Sequence, residues 1–232
     1  MLFYNRENQI MQPSELKNFE TWIFDLDNTL YPVSANLFDQ IDKRMCSYIA
    51  NFLKTSESEA HTVQKRYFQE HGTSLRGMME NHKMDPIPYL EYVHKIDLSA
   101  IIRDDQMERA LDKLPGRKIV FTNAAASYAE KVLERLGIAH HFEDVFDIVA
   151  ANFIPKPAPL VYQRFVKQYK IDSEKSVMVE DIVRNLKPAA DMGMKTVWVE
   201  TGRAWAHADA ETTKPDFTTN TLAPWLTEVT KF

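Results

Sequence analysis

The sequence predicts an α/β protein: a doubly wound, Rossmann-like parallel sheet with an inserted α-helical subdomain. Three observations carry this. Five short runs rich in Val, Ile and Phe read as strands: Thr21–Asp25, Lys118–Phe121, Asp147–Val149, Ser176–Val179 and Thr196–Val199. Several are continuously apolar, as in strands covered on both faces of a parallel sheet. From Arg117 onward these runs alternate with helical patterns, the order expected of right-handed crossovers.

The first strand opens the stretch WIFDLDNTLYP, Trp22 to Pro32. Residues Met1–Ile10 read as a loose extension, with Met11 starting the compact fold. Between Ser34 and Leu111 the pattern is helical, without convincing strands. Leu37, Ile41, Met45, Tyr48 and Phe52 form one apolar face at spacings of three and four. Ser56 with Glu59 is a capping box opening a second helix that runs towards Gly72. SLRGMMENHKM and IPYLEYVHKI suggest two more helices. A structureless insertion of this length would be rare, so residues 33–111 are expected to form a helical insertion. Residues 1–32 and 112–232 are expected to form the α/β core. Within that core, Tyr128, Val132 and Leu136 stand four apart and stop at Gly137. Val161, Phe165 and Tyr169 mark the next helix, and Leu186, Ala190 and Gly193 the one after.

Composition narrows the functional classes. The 232 residues are 44% hydrophobic and 26% charged, which supplies a sizeable core. With 28 Lys and Arg against 33 Asp and Glu, the formal charge is −5. That balance argues against tracking a nucleic-acid backbone and against an anionic membrane surface. Cys46 is the only cysteine, so it makes no internal disulfide, and on an amphipathic helix it reads as a small buried hydrophobe. No apolar run is long enough to span a bilayer, and the first ten residues lack a signal-peptide core. The cytoplasm is the expected compartment.

Ligands of open α/β sheets bind beyond the carboxyl ends of the strands. The residues just past each strand are therefore informative. Asp25, Asp27 and Thr29 come after the first, and Thr122 and Asn123 after the second. Lys156, in PKPAP, comes after the third. Glu180 and Asp181 come after the fourth, with Asn185 in the next helix. Carboxylates from different strands suit Mg²⁺, which takes oxygen ligands in octahedral geometry. A carboxylate can also attack phosphorus and form an acyl phosphate. Two unit charges about 4 Å apart interact by ~4 kcal/mol at an effective dielectric of 20. A metal and a lysine would offset that repulsion. Thr122 and Asn123 can donate to the equatorial phosphate oxygens, and such positioning is most of what phosphoryl transfer requires. Asp27, two residues from Asp25, can protonate a departing alkoxide and later take a proton from the attacking water.

DLDNT, TN, the Lys156 before Pro157, and ED followed by Asn185 resemble, in this order, the four motifs of the haloacid dehalogenase (HAD) superfamily of phosphohydrolases. The match covers about Thr21 to Glu200. The resemblance implies Asp25 as nucleophile and Asp27 as general acid and base. It implies Thr122, Asn123 and Lys156 as phosphate binders. Mg²⁺ would be held by Asp25, the Asp27 main-chain carbonyl and Asp181. Glu180 would be a neighbouring ligand or would support the ligands, and Asn185 would orient the site. The helical insertion resembles the superfamily's helical cap. FDLDNTLYP, HGTSLRGMM, VHKIDLS, GRKIVFTN and VEDIVRNL resemble the pyrimidine 5′-nucleotidase branch, whose members dephosphorylate UMP- and CMP-type nucleoside monophosphates. Asn28 stands where most of the superfamily has Gly, and Ala124 where relatives often carry Gly or Ser.

Each residue also has a plainer reading. Asp181 can cap a helix, a role compatible with metal binding. Asn185 can be an ordinary helix residue. Arg76 either grips phosphate, ribose or base, or lies on a solvated helix face. Tyr31 and Pro32 form either a hinge to the cap or a rigid exit. The seven histidines show no metal-ligand spacing, and the adjacent His140 and His141 read as surface residues. The expected activity is that of a Mg²⁺-dependent phosphomonoesterase acting on a small phosphorylated metabolite, a pyrimidine nucleoside monophosphate. Alternatives are phosphatases for a sugar phosphate or phosphoglycolate, a haloacid dehalogenase, a phosphomutase and a non-catalytic phospho-acceptor. Asp27 disfavours the dehalogenase, where no leaving group needs a proton.

Overall fold

The computed structural model describes residues 12–208 and 210–231. The expected start of the fold at Met11, and the extension before it, lie outside the described residues. Among the described residues six parallel strands form one sheet: β1 (Thr21–Phe24), β2 (Arg117–Phe121), β3 (Asp144–Phe146), β4 (Ser176–Glu180), β5 (Lys195–Val199) and β6 (Phe217–Thr219). Their spatial order is β3-β2-β1-β4-β5-β6. β1 pairs with β2 on one side and β4 on the other. The direction of winding therefore reverses between β1 and β4, which opens a crevice at their carboxyl ends.

Among the described residues five α-helices follow β1 before the sheet resumes, and the first four are α1 (Leu37–Leu53), α2 (Glu57–His71), α3 (Ser74–His82) and α4 (Pro86–Val93). The capping box forms as expected. Ser56 Oγ accepts from the Glu59 amide at 3.3 Å, and Glu59 Oε2 accepts from the Ser56 amide at 3.1 Å. Leu37 and Ile41 on α1 are buried and Met45 and Tyr48 half-buried, but Phe52 is 42% exposed and Ile49 takes the buried place near the helix end. Cys46 is half-buried, its Sγ donating to the Glu57 carbonyl.

The remaining helices are α5 (Asp105–Lys113), α6 (Ala126–Leu136), α7 (Pro159–Tyr169), α8 (Val183–Asp191) and α9 (Leu222–Val229). The division expected at residues 111 and 112 falls inside α5, which packs against α9. Strand alternation sends Trp22 and Phe24 to one face of the sheet and Ile23 to the other. On the first face Trp22 meets Trp225 of α9 edge-on and Phe24 meets Phe142. On the second, Phe121 stacks on Phe165 of α7 at 4.8 Å. Both faces are thus covered, as the continuous apolar strands require.

The third strand lies at Asp144–Phe146, three residues before the expected Asp147–Val149. Each segment is an acid followed by two apolar residues, so pattern alone does not separate them. Val145 and Phe146 pair with Val120 and Phe121. Asp147 leaves the ladder, and its carboxylate accepts from the amides of Ala126 and Ala150, each at 2.8 Å. On α8 the buried stripe is Val183, Leu186 and Ala189, while Ala190 is exposed. β6 and α9 carry no clear sequence signal; the FTT strand is short and half polar.

α2 and α3 approach closely where Gly77 meets Tyr67. A Cβ on Gly77 would lie 2.3 Å from Tyr67 Cγ. Gly77→Ala is expected to lower stability by ~1–3 kcal/mol through overpacking. Thermal unfolding of the variant checks this, with loosening confined to α1–α4 in hydrogen exchange.

Candidate active site

The end of β1 places the acids. The Asp25 amide still donates to the Val179 carbonyl at 2.9 Å, which holds the backbone in the sheet as the side chain enters the crevice. Asn28 then adopts a left-handed φ of 60°. Asn and Gly are the residues best suited to that conformation, which explains why one can replace the other here. The turn folds Thr29 back, and its hydroxyl donates to Asp25 Oδ2 at 3.1 Å.

Lys156 organises the centre. Its side chain is 1% exposed. Nζ donates to Asp25 Oδ1 at 2.8 Å, Glu180 Oε2 at 2.6 Å and the Phe121 carbonyl at 2.7 Å. Burial pulls the ammonium towards neutrality, but Asp25 and Glu180 outweigh it and raise its pKa, so Lys156 stays charged. Asn123 fixes its backbone: Oδ1 accepts from the Lys156 amide at 2.8 Å, and Nδ2 donates to its carbonyl at 3.3 Å. Thr122 is buried beside it, its Oγ1 accepting from the Ala124 amide at 3.0 Å.

Asp27 occupies a different environment. Its Oδ1 accepts from the hydroxyls of Tyr31 and Tyr128, which lie 3.3 Å from each other. Burial and the Asp25 charge push Asp27 up to about 6, against the opposing pull of the two phenols and Lys156. Burial and the Glu180 charge likewise push Asp25 up to about 6, with Lys156 opposing. Asp27 is therefore poised to exchange a proton near neutrality.

Asp25, Glu180 and Asp181 each bring a carboxylate oxygen within 4.8 Å of the others, and all three residues are buried. Burial, Glu180 and Asp25 together push Asp181 well above the usual carboxylate range. Asn28 Nδ2 approaches Asp181 Oδ2 at 3.5 Å, and Trp198 Nε1 donates to the Asp181 carbonyl at 2.8 Å. Three buried carboxylates face one ammonium. The excess negative charge and the all-oxygen donor set fit a hard divalent cation such as Mg²⁺.

The sheet's crevice and α1–α4 border one cavity. Asp25, Asp27, Thr122, Asn123, Lys156, Glu180, Asp181 and Asn185 all line it. The structure brings these eight together. Arg76 is not among the lining residues, although Thr73, Ser74 and Leu75 before it are; it pairs with Glu80 at 2.6 Å and reaches the Phe153 carbonyl at 3.5 Å. Three further groups belong to the site that sequence reasoning does not place there. Tyr128 reads as part of a helix's apolar stripe and Tyr31 as a hinge, yet both phenols hold Asp27. His94 stacks on Tyr128 at 4.7 Å and lines the cavity, and burial pushes it down to about 4, so it is neutral at pH 7. A tyrosine at a core spacing carries no sequence signal that its hydroxyl has a carboxylate partner.

The raised carboxyls have a thermodynamic consequence. Between the ordinary carboxyl pKa and the raised one, the folded state binds more protons than the unfolded state, so stability falls as pH rises. Without divalent cations at pH 7, Asp181→Asn is expected to be more stable than the parent by on the order of 1–4 kcal/mol. The gain should shrink at pH 4. Thermal unfolding at the two pH values checks this, and Mg²⁺ should raise the melting temperature of the parent more than that of the variant.

A yeast (Saccharomyces cerevisiae) protein named "Phosphate metabolism protein 8" is 26% identical over 193 residues, 75% of this chain and 60% of its own length. The "Glyceraldehyde 3-phosphate phosphatase" of Pyrococcus abyssi is 34% identical over 77 residues, 32% of this chain and 31% of its own length. The chain thus spans less than two thirds of these relatives. The candidate HAD-hydrolase YfnB from Bacillus subtilis, described as bound to magnesium, shares the fold with a TM-score of 0.54 and 14% identity, over 91% of this chain and 99% of that one. A family model for haloacid dehalogenase-like hydrolases matches residues 19–193. That match takes in β1 through α8 and every group gathered around Lys156, and the chain belongs to the haloacid dehalogenase-like hydrolase family.

Proposed function

We propose that the chain is a Mg²⁺-dependent phosphomonoesterase that works through an aspartyl phosphate on Asp25. The observation that carries this reading is the second acid. Asp27 lines the same cavity as Asp25, held by two phenols and raised to about 6. A phosphate ester needs such a proton donor, whereas a halide leaving group does not.

Asp25 attacks phosphorus, with Thr29 and Lys156 fixing its two oxygens. The ester P–O bond breaks, and Asp27 gives its proton to the departing alkoxide. Asp27 then takes a proton from a water that attacks the aspartyl phosphate, releasing inorganic phosphate and restoring Asp25. Thr122, Asn123 and Lys156 are assigned to the phosphate oxygens. Mg²⁺, held by Asp25, the Asp27 carbonyl and Asp181, would neutralise the charge that keeps a carboxylate from a phosphate. Glu180 holds Lys156 in place, and Asn185 orients the neighbouring groups. α1–α4 act as a cap over the substrate, and α5 belongs to the core.

The substrate assigned is a pyrimidine nucleoside monophosphate. This rests on the segments shared with that branch and on the cap side of the cavity. Phe38, Phe68 and Trp205 offer a cluster of aromatic faces. Opposed polarity comes from Gln64 and Tyr89. Gln64 Nε2 donates to the Asp42 carboxylate at 2.7 Å and carbonyl at 3.2 Å, which fixes the amide orientation. Gln64 Oε1 and the Tyr89 hydroxyl have no hydrogen-bond partner. Both atoms are buried beside the cavity, so a small shift of either side chain would present an acceptor and a donor to the edge of a pyrimidine. The glyceraldehyde 3-phosphate phosphatase relative favours a second reading, a sugar phosphate substrate. Among the described residues no helix is long and apolar enough to cross a membrane, and the proposed setting is the cytoplasm.

Purified protein with Mg²⁺ is expected to release phosphate from UMP or CMP faster than from sugar phosphates, and to stop when Mg²⁺ is chelated. A panel that favours sugar phosphates would select the second reading, and no release from any phosphomonoester would contradict both. Asp25→Asn should abolish turnover. Asp27→Asn should slow UMP hydrolysis by ~10²–10⁴-fold. It should slow the initial burst of p-nitrophenolate from p-nitrophenyl phosphate far less, because that leaving group departs without a proton; an equal loss in that burst would remove Asp27 as the acid.

A further inference from the structure

A second cluster lies away from the crevice. Glu108 on α5 faces His140 and His141, which sit in the short 3-10 turn Ala139–His141 leading into β3. This turn is at the amino end of the strands, where the Glu143 amide donates to the Lys118 carbonyl at 2.8 Å. The catalytic acids are at the opposite, carboxyl end.

The geometry is specific. Nε2 of His140 is 3.8 Å and Nε2 of His141 is 3.7 Å from the same oxygen, Glu108 Oε1. Each pair of ligand atoms in the trio lies within 4.8 Å. The two imidazole rings are 4.0 Å apart. These N···O separations are too long for hydrogen bonds. The His141 side chain is only 7% exposed, and its Nε2 has no hydrogen-bond partner. Leaving such a buried atom unpaired costs roughly 1–3 kcal/mol. His140, by contrast, is 63% exposed. The expectation that both histidines are surface residues therefore holds for His140 alone. Sequence spacing could not show the cluster, because the third member comes from a helix far upstream.

We propose that Glu108, His140 and His141 form a binding site for a divalent transition-metal ion, Zn²⁺ or a close neighbour such as Co²⁺ or Ni²⁺. Two imidazole nitrogens and one carboxylate oxygen are a common zinc ligand set, completed by water. With bonds of about 2.0–2.2 Å, a tetrahedral zinc ion holds its nitrogen and oxygen ligands about 3.4 Å apart. The observed 3.7 and 3.8 Å separations need only a small contraction. Asp112, one turn further along α5, acts electrostatically on His141 and adds negative charge to the neighbourhood, and the Lys118 ammonium opposes it. Imidazole donors favour zinc over magnesium, and carboxylates the reverse, so the two clusters would sort two different metals. An ion here ties α5 to the turn that begins β3. It contributes to stability rather than to the reaction.

The test uses the full chain, stripped with chelator, dialysed and then held in saturating Mg²⁺. Zn²⁺ binding is followed by calorimetry, and Co²⁺ binding by visible absorption. The expected result is one Zn²⁺ site per chain, a tetrahedral-type Co²⁺ spectrum and a melting temperature that rises with Zn²⁺. Glu108→Gln and His140→Ala alter exposed or half-exposed side chains and should still fold. Each should weaken Zn²⁺ by at least the ~10–100-fold seen when even outer ligand partners are lost. Asp181→Asn should leave this site unchanged. No Zn²⁺ binding in the presence of Mg²⁺, or equal affinity in the parent and both cluster variants, would overturn the proposal.

Discussion

One buried ammonium among three buried carboxylates is the constraint on which the rest of the site depends. Lys156 Nζ binds Asp25, Glu180 and the end of β2 at once, so three separate strand ends converge on one atom. The sheet order makes this possible. β1 sits between β2 and β4, and the strand ends carrying Asp25, Phe121 and Glu180 are therefore adjacent. Lys156 offsets part of the acidic charge and leaves an excess. Such an excess is costly in the folded chain alone. It becomes useful when a divalent cation and a phosphate dianion share the pocket, which ties the energetic defect to the proposed chemistry.

The two aspartates of the DLD stretch divide by environment. Asp25 points to the lysine and the acidic cluster, while Asp27 points to two phenols. Tyr31 comes from the turn after β1, and Tyr128 from the first turn of α6. The ends of α4 and α6 meet here as well, because His94 at the end of α4 stacks on Tyr128. The position of α4 and the environment of the acid are thus linked through one tyrosine. In the proposed function, closure of α1–α4 over the substrate would exclude water and strengthen every charge interaction inside.

Much of this is legible in the sequence for physical reasons. Strands buried on both faces announce themselves by continuous apolar runs, and polar residues at their ends stand out against that background. Asp25, Thr122 and Asp181 stand out this way, whereas Lys156 lies well past β3 and is singled out by its place in the order of motifs. Features that depend on tertiary pairing stay hidden. Asp144–Phe146 and Asp147–Val149 have the same pattern, and only pairing with β2 chooses between them. Phe52 and Ala190 fit a helical period but fall at solvent. Arg76 is suggested by likeness alone, and its local partner Glu80, four residues on, holds it instead. Tyr128 and His141 are hidden because a spacing reports the face a residue lies on and not the polar atom it must satisfy.

The central claim is that Asp25 carries the phosphoryl group. Acid quench of a single turnover, followed by mass spectrometry of the peptides, tests it directly. The account predicts a phosphoryl group on Asp25, formed with Mg²⁺ and absent once Mg²⁺ is chelated. It also predicts accumulation of that species in Asp27→Asn with an activated substrate, since the water then lacks its base. Phosphate release with no modified Asp25 at any time, or a phosphoryl group on another residue, would contradict it.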